Sequence, residues 1–271
     1  MKKKRNLRFL MMALVLSCLV AAMLPVAASA ATQKNGWVKE KNGYCYYVKG
    51  KKVQNQLKKI KGKTYYLGSD GVRKTGWYTV KTKSKGKTVY KAMKFNGSGA
   101  YTGKSQTVNA KLIKKTDSII KSLKIGTGAL TTEQKEAALK KIFTYTKKYG
   151  YGRVMGLNNK TFNKNKVADC AYKMMSKKKG NCYYHASAFA VLAKRATGLP
   201  VRVCWGTSRV FNAKKAQEHA WVEIKLADGS WHIYDPNGAR FSSRKDVETY
   251  GQKASALKSV YKAAKTSELY L

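Results

Sequence analysis

Acidic residues are scarce in this chain. Only 13 Asp and Glu stand against 56 Lys and Arg among 271 residues, a formal net charge of +43. Such a deficit excludes a surface neutral toward polyanions: either the lysines are simply solvated, or they meet an anionic partner. Histidine occurs three times and cysteine five times. The cysteines do not follow a disulfide-scaffold spacing. Cys182, His185, Cys204 and His219 are metal-ligating types, but their spacing matches no zinc pattern, so no metal or cofactor is expected. Beyond the first thirty residues no apolar run is long enough to cross a bilayer, which excludes a transmembrane span in the mature chain.

The start of the chain carries the one long apolar run. Lys2, Lys3, Lys4, Arg5 and Arg8 precede an apolar stretch from Phe9 to Ala28, and Ala28-Ser29-Ala30 fits the small-x-small cleavage rule. Residues 1–30 therefore read as a signal peptide of a secreted protein, cleaved after Ala30. Val15-Leu16-Ser17-Cys18 fits a lipobox poorly. Cleavage leaves a net charge of about +38. Export argues against nucleic acid as the polyanion; anionic wall polymers or membrane surfaces fit better. Of the remaining cysteines, Cys45 is left unassigned, Cys170 and Cys204 read as core residues, and Cys182 reads as free.

Residues 31–103 are repetitive. Glycines at 43, 62 and 86 mark a unit of about twenty residues, each an aromatic strand, a Gly-rich turn and a second strand. A lone hairpin cannot bury its face, but stacked copies can. Gly36-Trp37, Gly76-Trp77, the Tyr pairs and the Asp70-Gly71 turn resemble the cell-wall-binding repeats, of choline-binding and glucan-binding type, of Gram-positive exported proteins. The resemblance implies ligand contacts through Trp37, Tyr47, Tyr66 and Trp77, by cation–π attraction or ring-on-sugar packing. It implies a wall polymer as partner: an anionic polymer, choline or a glycan. The same aromatics also suffice to hold hairpins together.

Residues 104–110 read as a short polar link, and from there to residue 271 the pattern is that of a mixed domain. Leu112, Ile113, Ile119, Ile120 and Leu123 mark one helix. Thr131 to Gln134 is a capping box opening a second, with Leu139, Ile142, Phe143, Thr146 and Tyr149 on one face. Residues 151–166 read as a loop, followed by a short helix with Val167, Cys170, Ala171, Met174 and Met175. Gly180 then stops that segment. Val201 to Trp205, His219 to Leu226 and Trp231 to Asp235 read as strands, and the tail from Ser242 as mixed helix and coil.

Cys182 opens the most apolar helix. His185, Ala188, Phe189, Leu192 and Ala196 recur at helical spacing, Asn181 is a good cap, and Gly198 with Pro200 ends the run. A sulfur in a first helical turn sits among free N–H groups at the positive end of the dipole, which favours a thiolate. Position alone leaves a small buried hydrophobe equally open. The downstream strands decide between the two, with a histidine on one and an aspartate on the next. Cys182, His219 and Asp235 supply a nucleophile, a proton carrier and an orienting carboxylate. His185 comes three residues after Cys182 but has no strand-borne carboxylate, so it reads as packing or surface. His232 reads as structural, and Trp221 and Trp231 as core. Asp235-Pro236-Asn237-Gly238 is also a turn sequence.

The pairing of His219 with Asp235 constrains the hairpin between them. A two-residue Asp228-Gly229 loop would put the two on opposite faces. A three-residue loop, with Gly229 left-handed and Leu226 opposite Ser230, puts them on one face as diagonal neighbours.

Gly180-Asn181-Cys182 with its helix, Gly198 to Val203, His219 to Glu223, and Trp231 to Pro236 resemble, in that order, the transglutaminase-like superfamily of papain-type cysteine enzymes. The resemblance covers about residues 110–240 and implies an α+β fold, helices packed on an antiparallel sheet, preceded here by a small all-β hairpin module. It implies acyl transfer through a thioester at Cys182, as a peptidase or amidase when water is the acceptor. Its alternatives are a protein-cross-linking transglutaminase and a non-catalytic wall-binding protein with a vestigial triad. The backbone N–H of Cys182 would serve the oxyanion, with Tyr149, Tyr151 and Tyr172 as candidates for the second donor.

Overall fold

The computed structural model describes residues 33–126 and 128–270, so the signal-peptide segment lies outside the described residues. The chain begins with antiparallel hairpins. β1 (Gly36–Glu40) pairs with β2 (Gly43–Val48), which also pairs with the short β3 (Lys51–Lys52). β4 (Gln56–Ile60) pairs with β5 (Lys63–Leu67). β6 (Gly76–Ser84), β7 (Lys87–Phe95) and β8 (Tyr101–Val108) form a three-stranded sheet. The Lys-Gly dipeptides set the turns. Lys61-Gly62 and Lys85-Gly86 are two-residue loops with both residues at positive φ, the twist that suits a tight hairpin. Isolated bridges Cys45–Val72, Leu67–Arg73 and Tyr65–Ala100 tie one hairpin to the next. Tyr66, Val80, Met93 and Phe95 form a small shared core.

Residues 104–108 differ from expectation. They are the second half of β8, not a link, because Val108 is buried with Ala92 and Ile113. Asn109 then caps α1 (Ala110–Ser122) directly, its side chain accepting from the Lys111 N–H. α2 (Thr132–Lys147) starts at Thr131 with both hydrogen bonds of the capping box. α3 (Val167–Lys177) buries Val167, Cys170, Ala171, Met174 and Met175. Its left-handed cap is Lys178 at φ 55°, and not Gly180. Gly180 lies in β10 (Lys179–Gly180), which runs parallel to β9 (Gly150–Tyr151). A Cβ there would meet the Tyr184 ring at 2.5 Å, so the glycine lets the next helix pack down on the strand.

That helix, α4 (Cys182–Thr197), is buried on nearly every side, as its all-round apolar composition requires. α2 and α3 flank it, and a five-stranded antiparallel sheet covers the rest. The sheet order is β14 (Tyr250–Lys253), β13 (Trp231–Tyr234), β12 (Gln217–Lys225), β11 (Val201–Ser208), β15 (Tyr261–Glu268). Val203, Ala220, Val222 and Ile224 face α4, while Cys204, Trp221 and Ile233 pack on the far face with Val210, Val247, Val260 and Tyr261. The far cluster is formed largely by the tail, whose segments 250–253 and 261–268 are strands where helix and coil were expected. The result is an α+β arrangement with several antiparallel sheets. Among the described residues no helix is long and apolar enough to cross a membrane.

Candidate active site

Cys182 is the first residue of α4, held there by the Asn181 cap, whose side chain accepts from the Tyr184 N–H. It is 7% exposed. Cys170 and Cys204 are free and buried, as expected for core cysteines, and Cys45 is free and buried too.

His219 lies on β12 and Asp235 comes directly after β13. The register between the strands is the one a shared face requires. The Leu226 N–H donates to the Ser230 carbonyl, Gly229 is left-handed at φ 76°, and Val222 stands opposite Tyr234. His219 Nε2 lies 2.7 Å from Asp235 Oδ2 with both side chains buried. The carboxylate is fully bonded. Oδ1 accepts from the Gly238 N–H at 2.8 Å, and Oδ2 also accepts from the Tyr261 hydroxyl at 3.0 Å. Asp235 is thus at once the N-cap of α5 (Pro236–Phe241) and the partner of His219, one oxygen for each task. The turn at Pro236 and the contact with His219 therefore fall on the same carboxylate.

The electrostatics are set by this geometry. Burial opposes charge on His219, but the Asp235 carboxylate overcomes it, and the imidazole is raised well above the usual histidine range. Burial likewise opposes charge on Asp235; His219, the Gly238 N–H and the Tyr261 hydroxyl together hold it below the usual carboxylate range. With Asp235 ionised, Nε2 carries a proton. Nδ1 has no hydrogen-bond partner of ordinary geometry, and the Cys182 thiol stands close enough to favour the charged ring. Phe211 closes one edge of the imidazole at 5.0 Å, and Trp221 stacks beside it at 6.3 Å. Among the described residues no cluster could hold a metal ion.

The remaining sequence candidates separate clearly. His185 is buried and pushed down to about 4 by burial; its Nε2 donates to the Gly150 carbonyl at 3.2 Å. No carboxylate bonds this ring, and its Nε2 is committed to a backbone carbonyl. His232 bonds Gly251, Ser230 and Asp228 and so secures the hairpin turn. Trp221 is core, its indole N–H donating to Glu223 at 3.2 Å, and Trp231 stacks under Arg202. Tyr149 is buried with an unpartnered hydroxyl. Tyr151 is 52% exposed and, through the pairing of β9 with β10, lies beside the start of α4; partial burial of its hydroxyl, and then Cys182, raise its pKa.

Sequence reasoning missed Tyr261, Asn159 and Tyr183. Asn159 donates to the Gly206 carbonyl at 2.6 Å and to Glu218 through its backbone, and accepts from the Tyr183 hydroxyl at 2.8 Å. These bonds pin the long loop to the strands carrying the histidine. Tyr183, adjacent to Cys182, was the one signal available.

The hairpin candidates do not form one site. Tyr47 is buried and donates to Glu40, Tyr66 is buried against Tyr78, and Trp77 packs on Tyr270 at 4.8 Å. Trp37 is half-buried, as Trp77 is, and lies beside Tyr46 and Tyr65 at 5.1 and 4.9 Å.

A cysteine at a helix start, with a histidine and a bonded aspartate on adjacent strands, is the arrangement of thiol acyl-transfer enzymes. Residues 123–236, which hold all three side chains, match the model of the transglutaminase-like superfamily. The match supports a thiol-type enzyme. Two of the solved structures that match the chain illustrate the likeness. One is a “Putative Cysteine Protease from Cytophaga hutchinsonii”, 17% identical, with a TM-score of 0.31 over 60% of this chain. The other is the “Multimodular Pneumococcal Cell Wall Endolysin from phage Cp-1 complexed with choline”, 28% identical, with a TM-score of 0.20 over 25% of this chain. The chain covers 54% of the first and 18% of the second. No curated protein matches the chain.

Proposed function

We propose that this is a secreted, wall-associated cysteine enzyme that cleaves or transfers amide bonds through a thioester on Cys182. The buried His219–Asp235 pair at 2.7 Å, with Nδ1 left to the sulfur, is the observation that carries the reading. In the proposed cycle the Cys182 sulfur attacks the amide carbon and the carbonyl electrons move to oxygen. The free N–H groups of the first turn of α4 face that oxygen. Tyr151, on the strand paired with Gly180 two residues before the sulfur, supplies the second donor. As the oxyanion collapses, the C–N bond breaks, the imidazolium gives its Nδ1 proton to the leaving amine, and a thioester remains. An incoming water or amine then gives its proton to Nδ1 as it attacks, and the sulfur departs. Asp235 holds the ring in one tautomer throughout.

The basic surface and the aromatic hairpins support a wall polymer as the resting place of this enzyme. The decisive experiment incubates the mature protein and Cys182→Ala with peptidoglycan fragments and surface peptides and reads products by mass spectrometry. Hydrolysed amides from the mature protein alone support the reading. An isopeptide product with a supplied amine assigns transferase activity instead. No product and no acyl-enzyme from any substrate would leave the triad vestigial.

A further inference from the structure

The accessible aromatic face of the first hairpins already holds a cation of its own. The Arg73 guanidinium lies 4.5 Å from the Tyr44 ring centroid and 5.7 Å from that of Trp37. Trp37 contacts Tyr46 and Tyr65 edge-on, so the two rings that bear on the guanidinium are continued by two more, drawn from two hairpins. Other rings are filled the same way: Lys34 and Lys52 lie over Tyr47, and Lys74 over Tyr78. A quaternary ammonium would have to displace these groups. Arg73 differs from Lys52 and Lys74, which are paired with Glu40 and Asp70. Among the described residues its guanidinium has no acceptor; only its backbone N–H is bonded, to Tyr44.

We propose that this face binds a phosphate-bearing glycan, with the Arg73 fork on the phosphate and the rings around it against the sugar. Stacking on an aromatic face leaves the in-plane N–H donors of a guanidinium free, and their fork matches phosphate oxygens. The partly exposed Tyr44, Tyr46 and Tyr65 supply flat apolar surface beside it. The register puts Lys39 opposite Tyr44 and Lys58 opposite Tyr65, adding two cations to the same face. Glu40, the acid of this hairpin, alternates to the other face, where it meets Tyr47 and Lys52. The proposal rests on the wall-polymer reading and gives its ligand a sign.

The test measures binding of the full mature chain, at physiological salt, to phosphorylated dextran, carboxymethyl dextran and plain dextran, with choline chloride as competitor. The expected order is phosphorylated, then carboxymethylated, then plain, with no competition by choline. Arg73→Gln should lose roughly tenfold or more, and Arg73→Lys should lie between the two because it keeps charge but not the fork. Tyr44→Ala, at a 40% exposed position, should lose several-fold while keeping every charge. Lys265→Gln, on exposed β15, controls for net charge. Equal losses in Arg73→Gln and Lys265→Gln, equal binding of both charged dextrans, or displacement by choline would each overturn the proposal. If Arg73→Gln fails to fold by circular dichroism, the comparison of Tyr44→Ala with Lys265→Gln decides. Cell-wall pelleting separates the two readings. Pelleting of wild type and Arg73→Gln alike removes this site and keeps wall binding. Failure of wild type to pellet, with Arg73-dependent dextran binding, does the reverse.

Discussion

Tyr261 and His219 share one oxygen of Asp235: the Tyr261 hydroxyl donates to Oδ2 at 3.0 Å and the His219 Nε2–H at 2.7 Å. The tyrosine arrives from the last strand, more than twenty residues beyond the aspartate. It holds the carboxylate from the side that neither the ring nor the Gly238 N–H occupies.

Tyr261→Phe removes one of the donors that depress the Asp235 carboxyl. A depressed carboxyl stabilises the fold above its unfolded value, and that stability is lost as pH falls through the folded value. Raising the folded value moves the loss to higher pH. The acid-unfolding midpoint of Tyr261→Phe should therefore lie above that of wild type, and Cys182 alkylation at neutral pH should slow. Unchanged values for both would make Tyr261 a packing residue only.

Native-state alkylation should single out one thiol. Cys45, Cys170 and Cys204 are buried, and burial pushes each of their thiols up, Cys170 to about 12. Cys182 stands beside a charged imidazole. Iodoacetamide near neutral pH should label Cys182 alone, and His219→Ala should slow that labelling by an order of magnitude or more. Labelling that persists in the variant would count against the pair.

Asp235→Asn keeps an acceptor for Gly238 and removes the charge that raises His219. The raised histidine stabilises the fold fully below its ordinary value of 6.5 and loses this as pH rises through about 10; the depressed aspartate does so above 3.8. The stability difference between wild type and Asp235→Asn should peak between those two ordinary values, at about 1.5–3 kcal/mol, and shrink by pH 10. Denaturant titrations across pH measure it, and a flat difference would mean the pair is not charged.

Much of this site was legible because local rules and tertiary packing agree there. Thr131 and Gln134 form the capping box their spacing promised, and Cys182 heads a helix whose apolar residues face inward all round. The Ala227-Asp228-Gly229 loop takes the odd length that puts His219 and Asp235 on one face. The failures have the opposite cause. Tyr261 to Glu268 contains Ala263, Ala264 and Lys265, good helix formers, yet pairing along the free edge of β11 makes it a strand. Tyr47 and Tyr66 were chosen from Tyr-Tyr pairs whose members point to opposite faces, and only the register, Trp37 opposite Tyr46, says which belong together. Neither partner choice nor register is written in a single strand.

Gly206 offers the sharpest test of how that last strand is held. It pairs with His219 on one side and meets β15 on the other, where the register slips between Trp205 and Gly206. The slip leaves Ala264 unpaired, since Trp205 faces Lys265 and Gly206 faces Ala263. A Cβ on Gly206 would fall 2.2 Å from the Lys262 carbonyl oxygen and 2.6 Å from the Ala264 nitrogen. Both are backbone atoms, which cannot rotate aside as a side chain can. Gly206→Ala must therefore push β15 outward or shift its register, and either movement draws Tyr261 off Asp235. The expected cost is about 1–3 kcal/mol of stability, the range for overpacking, or several degrees in Tm. The two effects should travel together: Gly206→Ala should lower Tm more than Tyr261→Phe and slow Cys182 alkylation at least as much. A Gly206→Ala protein with wild-type Tm and alkylation rate would show that β15 yields without drawing Tyr261 off Asp235, and the proposed link from Gly206 to the carboxylate would fall.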